Sequence, residues 1–384
     1  MSTELAPASP EFTARFRRSA AAFRRFFEEL AAHYLEREHV LAQIQLALLS
    51  REHVLVFGPP GTAKSELALN VVRRIVDDAS GEASLFSKQI AETTVQTDII
   101  GPVDYKTLTE TGRTEHLTDE GILGAVHGVL DEVYDGRERM LRSILNVLQE
   151  REVKSGRKTV RGRNEVAIMT SNRYLSEVVQ RNPELMLAFA DRVAYVSFVP
   201  KGFAHRESRA AMLQRAARRM RPDLQARLTI QDVDILQEAA EAVEVPEGVL
   251  AGLERLAELL ERELASHAAE DSAFLPTKYF SNRTLVRSLL ALKAAVVRSA
   301  TLAPRAWPLK ASLDDLAHLQ AFFTLAGPSV VDLAALQQAA SDRREKVQLA
   351  ISRTEAVAFA ECLARTLQSM AGGQPFKARE RKLG

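Results

Sequence analysis

The stretch GPPGTAKS, Gly58 to Ser65, sets a glycine-proline turn and a lysine-serine pair directly after the apolar run HVLVF. It fits the pattern G-x-x-x-x-G-K-S/T except at one position, where Ala63 replaces glycine. In such a loop the backbone of Gly58, Pro59, Pro60, Gly61, Thr62 and Ala63 curls so that its N–H groups surround an anion, and Lys64 reaches the outer phosphates of a nucleotide. Ser65 offers its hydroxyl to Mg²⁺. The helix that starts near Lys64, with Glu66 in its first turn, points its positive dipole end at the same anion. Alanine at position 63 removes no donor N–H, and a negative φ, as at a helix start, is expected there. The bland alternative is a turn before a helix that ends in Lys-Ser; the strand-like run before it favours the nucleotide site.

A second chemical pair closes the segment AVHGVLDE, where Asp131 and Glu132 stand at the end of an apolar run. Asp131 can hold Mg²⁺ through its water shell, and Glu132 can polarise an attacking water as a general base. On its own such a pair means only a strand meeting solvent; behind a phosphate loop it gains chemical sense. Asn172, at the end of VAIMTSN, can hydrogen-bond a γ-phosphate or the attacking water, or merely cap a turn. Arg192, in LAFADRVAYVSF, is either a salt-bridging arginine or a charge supplied to a neighbouring subunit's nucleotide.

These residues require a scaffold that gathers strand ends. Between residues 53 and 198 the runs HVLVF, SLFSKQI, AVHGVL, EVAIMT and RVAYVSF alternate with helical stretches, which predicts a parallel sheet with helices on both faces. After GRERMLRSILNVLQER, whose core face is Met140, Leu141, Ile144, Leu145 and Leu148, the segment REVKSGRKTVRGR reads as a hairpin turning at Ser155-Gly156. Beyond about Lys201 strand signals stop, and 204–304 and 312–370 read as helices. Ahead of the sheet, Glu11 to Leu35 forms a helix with Phe12, Phe16, Phe23, Phe27, Leu30 and Tyr34 along one stripe and five arginines opposite. That helix either packs its stripe or lies on a membrane. Residues 1–10 and the tail AGGQPFKARERKLG read as loose.

The chain has 384 residues, enough for two or three domains of roughly 100–200 residues each. Its net charge of +1 gives no electrostatic reason for nucleic acid or an anionic membrane. Cys362 is the only cysteine, which excludes an internal disulfide and a cysteine metal cage. No apolar run approaches the roughly 20 residues of a membrane span, and MSTELAPASPEF lacks the core of a signal peptide. The expected location is the cytoplasm.

Taken together, GPPGTAKS, TDIIGPVD with the insert YKTLTETGRTEHLTDEGIL, GVLDEVYDG, ILNVLQEREVKSGR, MTSN, FADRV and SNRTLV resemble the MoxR family of AAA+ ATPases, in its RavA-like branch. The resemblance covers about residues 36–325, and alanine in GPPGTAKS is usual for that family. It implies an α/β fold: a P-loop AAA+ core (36–203) with a parallel five-stranded sheet, an N-terminal helix before it, an all-α lid (204–310) and C-terminal helices (311–384). By the same resemblance Lys64 and Ser65 bind the phosphates and Mg²⁺ of ATP, Asp131 and Glu132 are the Walker B pair, and Asn172 is sensor 1. Arg192 is the arginine finger and Arg283 the sensor 2 arginine. The inserts near 97–123 and 151–163 would be two β-hairpins facing the pore or an axial face of a hexameric ring. Members remodel partner proteins or load metal into them, often proteins with a von Willebrand factor A domain. Nothing in 331–384 carries the resemblance, and no large inserted domain of the RavA type is present.

Three functions fit these residues: an ATP-driven remodelling chaperone, a nucleotide-switched assembly scaffold, and a nucleic-acid motor. Lys154, Arg157, Lys158, Arg161 and Arg163 of the hairpin keep the third in view. Against it stand the near-neutral charge and the absence of a stacking aromatic in that hairpin.

Overall fold

The computed structural model describes residues 9–156, 158–181, 189–218, 224–271, 274 and 276–371. Arg157 of the hairpin and the terminal stretches read as loose, 1–8 and 372–384, lie outside the described residues. The strands are β1 (Val54–Phe57), β2 (Ile75–Val76), β3 (Leu85–Gln89), β4 (His127–Asp131), β5 (Glu152–Ser155), β6 (Lys158–Arg161), β7 (Val166–Ser171), β8 (Tyr195–Phe198) and β9 (Leu228–Thr229). Five of them form one sheet in the order β3-β4-β7-β1-β8, all parallel where they pair. All five runs expected from the sequence are therefore strands of that sheet.

Both faces of the sheet are covered over β1, β4, β7 and β8, whose apolar residues are buried on both sides, while the edge strand β3 stays partly exposed. Val54, Val56, Val166 and Ile168 point into one core with α1 (Pro10–His33), α2 (Glu38–Ser50), α3 (Lys64–Val72) and the later helices 230–241, 247–270 and 282–302. Leu55, Phe57, Ala167 and Met169, the alternate residues, point into a second core with Leu141, Ile144, Leu145 and Leu148 of helix 138–150. Helix α1 buries Phe16, Phe23, Phe27 and Leu30 against the first core. Its Ser19 Oγ donates to Asp232 Oδ1 at 2.7 Å, so the aromatic stripe is a packed interface within the chain. The helix begins inside the stretch read as loose, because Ser9 caps it by accepting from Phe12 N and Pro10 sits where a missing N–H costs nothing.

Three details correct the sequence reading. The first insert is not a β-hairpin. Its two arms pair as strand at the single bridge Val103–His116 among the described residues, and between them lies helix Tyr105–Thr111. Asp104 caps that helix by accepting from Lys106 N and Thr107 N, and Gly112 closes it in the left-handed region. The second insert is the expected hairpin, but Ser155 pairs with Lys158, so Ser155 belongs to the strand rather than to the turn. Lastly, strand pairing does not end at Lys201: β9 pairs with β2, and Phe198 N donates to Ala326 O while Ala326 N donates to Val196 O. The segment around Ala326 thereby covers the open edge of β8. Among the described residues no helix is long and apolar enough to cross a membrane.

Candidate functional site

The register explains why the chemical residues meet. Phe57 pairs with Ser171, and Gly58 N donates to Ser171 O at 3.2 Å, so the loop after β1 lies beside Asn172. Leu130 pairs with Met169, which places Asp131 and Glu132 at the same carboxyl edge of the sheet. Ligands of open parallel sheets bind in this crevice. Gly58 is required by space: a Cβ there would stand 2.1 Å from the Val199 carbonyl oxygen.

Lys64 is buried, and its ammonium donates to the carbonyls of Gly58 and Pro59 and to Asn172 Oδ1, each at 2.8 Å. Burial pulls its pKa down to about 8, although the charges of Glu132 and Asp131 oppose the shift. Ser65 Oγ donates to Asp131 Oδ1 at 2.5 Å, and Thr170 Oγ1 donates to the same oxygen. A hydroxyl and a carboxylate so placed are the hard oxygen donors that Mg²⁺ takes alongside nucleotide phosphates. Asn172 N donates to Glu132 Oε2 at 3.0 Å, and its side-chain amide donates to Glu132 Oε1. Partial burial raises the Glu132 pKa, with Asp131 and Asp135 adding to it, while the Asn172 N–H and Lys64 hold it back. One amide thus joins the candidate cation to the candidate base.

Two of these residues adopt backbone that L-residues avoid. Glu132 has φ 54°, which aims its carboxylate back across the strand end at Asn172. Ala63 has φ 62° and ψ 22°, so the negative φ expected from the sequence is wrong. The reason is steric: the loop must turn its backbone before α3 starts, and Ala63 makes that turn as the residue preceding the helix. A left-handed alanine costs roughly 1–2 kcal/mol, and glycine's extra chain entropy returns roughly 0.5–1 kcal/mol of that. Ala63→Gly should therefore raise stability by up to about 1 kcal/mol and leave nucleotide affinity unchanged. A denaturant midpoint below wild type would contradict this.

Beside the loop opens a cavity of about 730 Å³. Gly61, Thr62, Ala63 and Glu66 form its inner wall, and Tyr34, Arg37, Phe203 and Arg215 form its sides. Tyr34 OH donates to Glu66 Oε1 at 3.4 Å, and the buried Arg37 guanidinium lies 5.7 Å from the centre of the Phe203 ring. The far wall is Leu336, Ala340 and Glu345, from the part of the chain that showed no resemblance. The cavity has the size and mixed apolar and cationic lining of a nucleoside site. Its walls come from four separated stretches with no local spacing in common, so no sequence signal joins them.

The remaining two candidates lie elsewhere. β1 and β8 run parallel with Val54 opposite Tyr195; the loop follows Phe57, and Arg192 precedes Tyr195. The sheet, about 10 Å long at 3.3 Å per residue, separates Arg192 from its own loop. Arg192 Nε donates to Gln149 Oε1 at 3.0 Å. Arg283 forms an ion pair with Asp191, next to Arg192, and is likewise remote from the loop. The structure gathers Lys64, Ser65, Asp131, Glu132 and Asn172, and sets Arg192 and Arg283 together at the opposite end.

Comparison with known proteins agrees with this geometry. Residues 21–237, more than half of the chain, match a family model described as the MoxR domain in the MoxR-vWA-beta-propeller ternary systems. Two uncharacterized proteins of Methanocaldococcus jannaschii are 28% and 27% identical over 168 residues, 44% of this chain and 41% and 42% of theirs. Chaperone MoxR1 of Mycobacterium tuberculosis is 33% identical over 123 residues, 32% of this chain and 30% of that protein. The chain spans less than half the length of these curated relatives. A crystal structure from Cytophaga hutchinsonii, described as a candidate ATPase, superposes with a TM-score of 0.58 at 16% identity, covering 82% of this chain and 88% of that one. At that identity the likeness shows the fold alone, a parallel α/β core with helices after it.

Proposed function

As the chain belongs to the MoxR family of AAA+ ATPases, we propose that it hydrolyses ATP as a homo-oligomeric, hexameric ring and uses the cycle to remodel a protein partner. A partner with a von Willebrand factor A domain is favoured by the description of the matching family, whose systems contain such a component. The RavA-like placement rests on the motifs alone. The observation that carries the reading is the convergence of Lys64, Ser65, Asp131, Glu132 and Asn172 at one strand edge, bonded to one another.

In this mechanism the loop N–H groups and Lys64 hold the phosphates, and the cavity flanked by Tyr34 and Arg37 takes the nucleoside. Ser65 and Asp131 would hold Mg²⁺, which when bound neutralises charge on the phosphate oxygens. Glu132 accepts a proton from water as the water oxygen attacks the γ-phosphorus, and the bond from that phosphorus to the ADP oxygen breaks. Asn172, shared between Lys64 and Glu132, orients the base relative to the phosphate. Arg192 and Arg283 act on the neighbouring subunit's nucleotide, since the sheet keeps them from their own.

The hairpin speaks against a nucleic-acid motor. Lys158 pairs with Glu115 at 3.4 Å, Arg161 with Glu152 at 3.1 Å and Arg163 with Glu165 at 3.1 Å, so these cations already face carboxylates. Turnover stimulated by a von Willebrand A partner separates remodelling from a scaffold whose hydrolysis only times assembly.

The test of the site is Lys64→Ala. Truncating one member of a hydrogen-bonded charge pair costs about 2–5 kcal/mol, which is more than tenfold in affinity. Calorimetry on the folded variant should show ATP binding weakened by at least that factor. Unchanged affinity would falsify the phosphate-loop reading.

A further inference from the structure

At the end of the sheet away from the nucleotide site, three buried ionisable groups, Lys278, Glu52 and Glu355, and the largely covered Arg287 crowd beneath the segment that carries Arg192. Lys278 is buried; its ammonium donates to Ala194 O at 2.7 Å and lies 4.4 Å from the centre of the Phe322 ring. Arg287 Nη1 donates to Asp191 O at 2.8 Å, and its Nε pairs with Glu52 Oε1 at 2.9 Å. Glu355 of helix 343–371 accepts from Thr277 N, Thr277 Oγ1 and Leu325 N at 2.6–2.8 Å, fixing the residue next to Lys278. Ser281 Oγ donates to Asp191 Oδ1 at 3.1 Å. The phosphate chemistry uses none of these groups.

The pattern is specific. Two cations from residues 278–287 hold the carbonyls of Asp191 and Ala194, which flank Arg192 in sequence. The Arg192 side chain itself remains partly exposed, and among the described residues its hydrogen-bond partner is the Gln149 side-chain amide oxygen. A buried cation is costly unless it is paired and hydrogen-bonded; burial pulls the Lys278 pKa down to about 7, with Arg287 adding to the shift and Glu52 and Glu355 opposing it. Holding a plain backbone turn needs no such arrangement, since an apolar contact would stabilise it at lower cost.

We propose that Lys278 and Arg287 are positioning residues for Arg192: they clamp the backbone on both sides of it so that its guanidinium is presented to the neighbouring subunit's nucleotide. This rests on the reading that Arg192 acts between subunits. The clamp also ties the finger to the helical region after the sheet, through Arg287, and to the C-terminal helix, through Glu355.

The test uses Arg287→Gln and, as a second lesion at the other carbonyl, Lys278→Met, in the full chain. Misplacing a reacting group by about 1 Å costs on the order of 10²-fold, so kcat should fall by about that factor while the ATP dissociation constant stays at its wild-type value. Arg287→Lys, which keeps the charge for Glu52, should recover part of the loss. Mixing either variant with Lys64→Ala subunits should restore activity, because the Lys64→Ala subunit supplies a correctly held Arg192 to the variant's intact loop. Wild-type kcat in assembled rings of both variants overturns the clamp. So does failure of both to be rescued while Arg192→Ala, mixed in the same way, is rescued. If Arg192→Ala is not rescued either, the reading of Arg192 itself falls and the clamp with it.

Discussion

Glu132→Gln should bind ATP with unimpaired affinity and hydrolyse it about 10²–10⁴-fold more slowly than wild type, the range that general-base catalysis supplies. Glutamine keeps the length of the side chain and can still accept from Asn172 N, so the site's shape survives. What it loses is the ability to take a proton from the attacking water. The left-handed backbone at Glu132 is informative here, because strain of this kind persists where the surroundings hold a residue in a working position. Phosphate release and calorimetric ATP binding, measured on one preparation, separate the two effects. The variant should also hold the ring in its ATP-bound assembly, visible as a stable oligomer by light scattering. Turnover at the wild-type rate would remove Glu132 from the base role.

The other large effect is expected far from that carboxylate. An arginine supplied to a γ-phosphate is worth about 10³–10⁵ in rate, so Arg192→Ala should abolish measurable hydrolysis while leaving ATP binding nearly intact. Among the described residues its side chain bonds the Gln149 amide oxygen and forms no ion pair, so removal should leave the fold in place. Arg173, the other arginine near the strand ends, is already paired with Asp135 at 2.7 Å and lies beside Asn172 on the same subunit's site. It is poorly placed to reach a neighbour.

How far the sequence reached depended on how local each feature is. The phosphate loop, Asp131-Glu132 and Asn172 each sit within a few residues of an apolar strand, and parallel register then brings the strand ends together. Alternation of Val54, Leu55, Val56 and Phe57 between two cores requires only that both faces be covered. The dihedral of Ala63 is not legible from the sequence, because residue type constrains φ only weakly when the turn before a helix decides it. Insert 97–123 reads as a hairpin by resemblance, whereas Asp104 and Gly112 are cap residues that favour the helix found there. The cavity beside the loop and the seat of Arg192 are invisible in the sequence. Glu345, Glu355 and Lys278 carry no spacing that marks them; Glu345 and Glu355 meet Lys201, Thr277 and Leu325 only when helix 343–371 folds back, and Lys278 meets Ala194 only across the tertiary fold.

That the site is completed between subunits is tested most directly by mixing two inactive variants, Lys64→Ala and Arg192→Ala, and measuring ATP hydrolysis against mixing ratio with ring size monitored in parallel. Lys64→Ala subunits retain Arg192, and Arg192→Ala subunits retain an intact phosphate loop. Mixed rings therefore contain interfaces with both parts, and activity should rise from zero to a maximum near equal proportions. Rings that mix fully and stay inactive at every ratio would contradict it, and would return Arg192 to the role of a residue serving its own subunit.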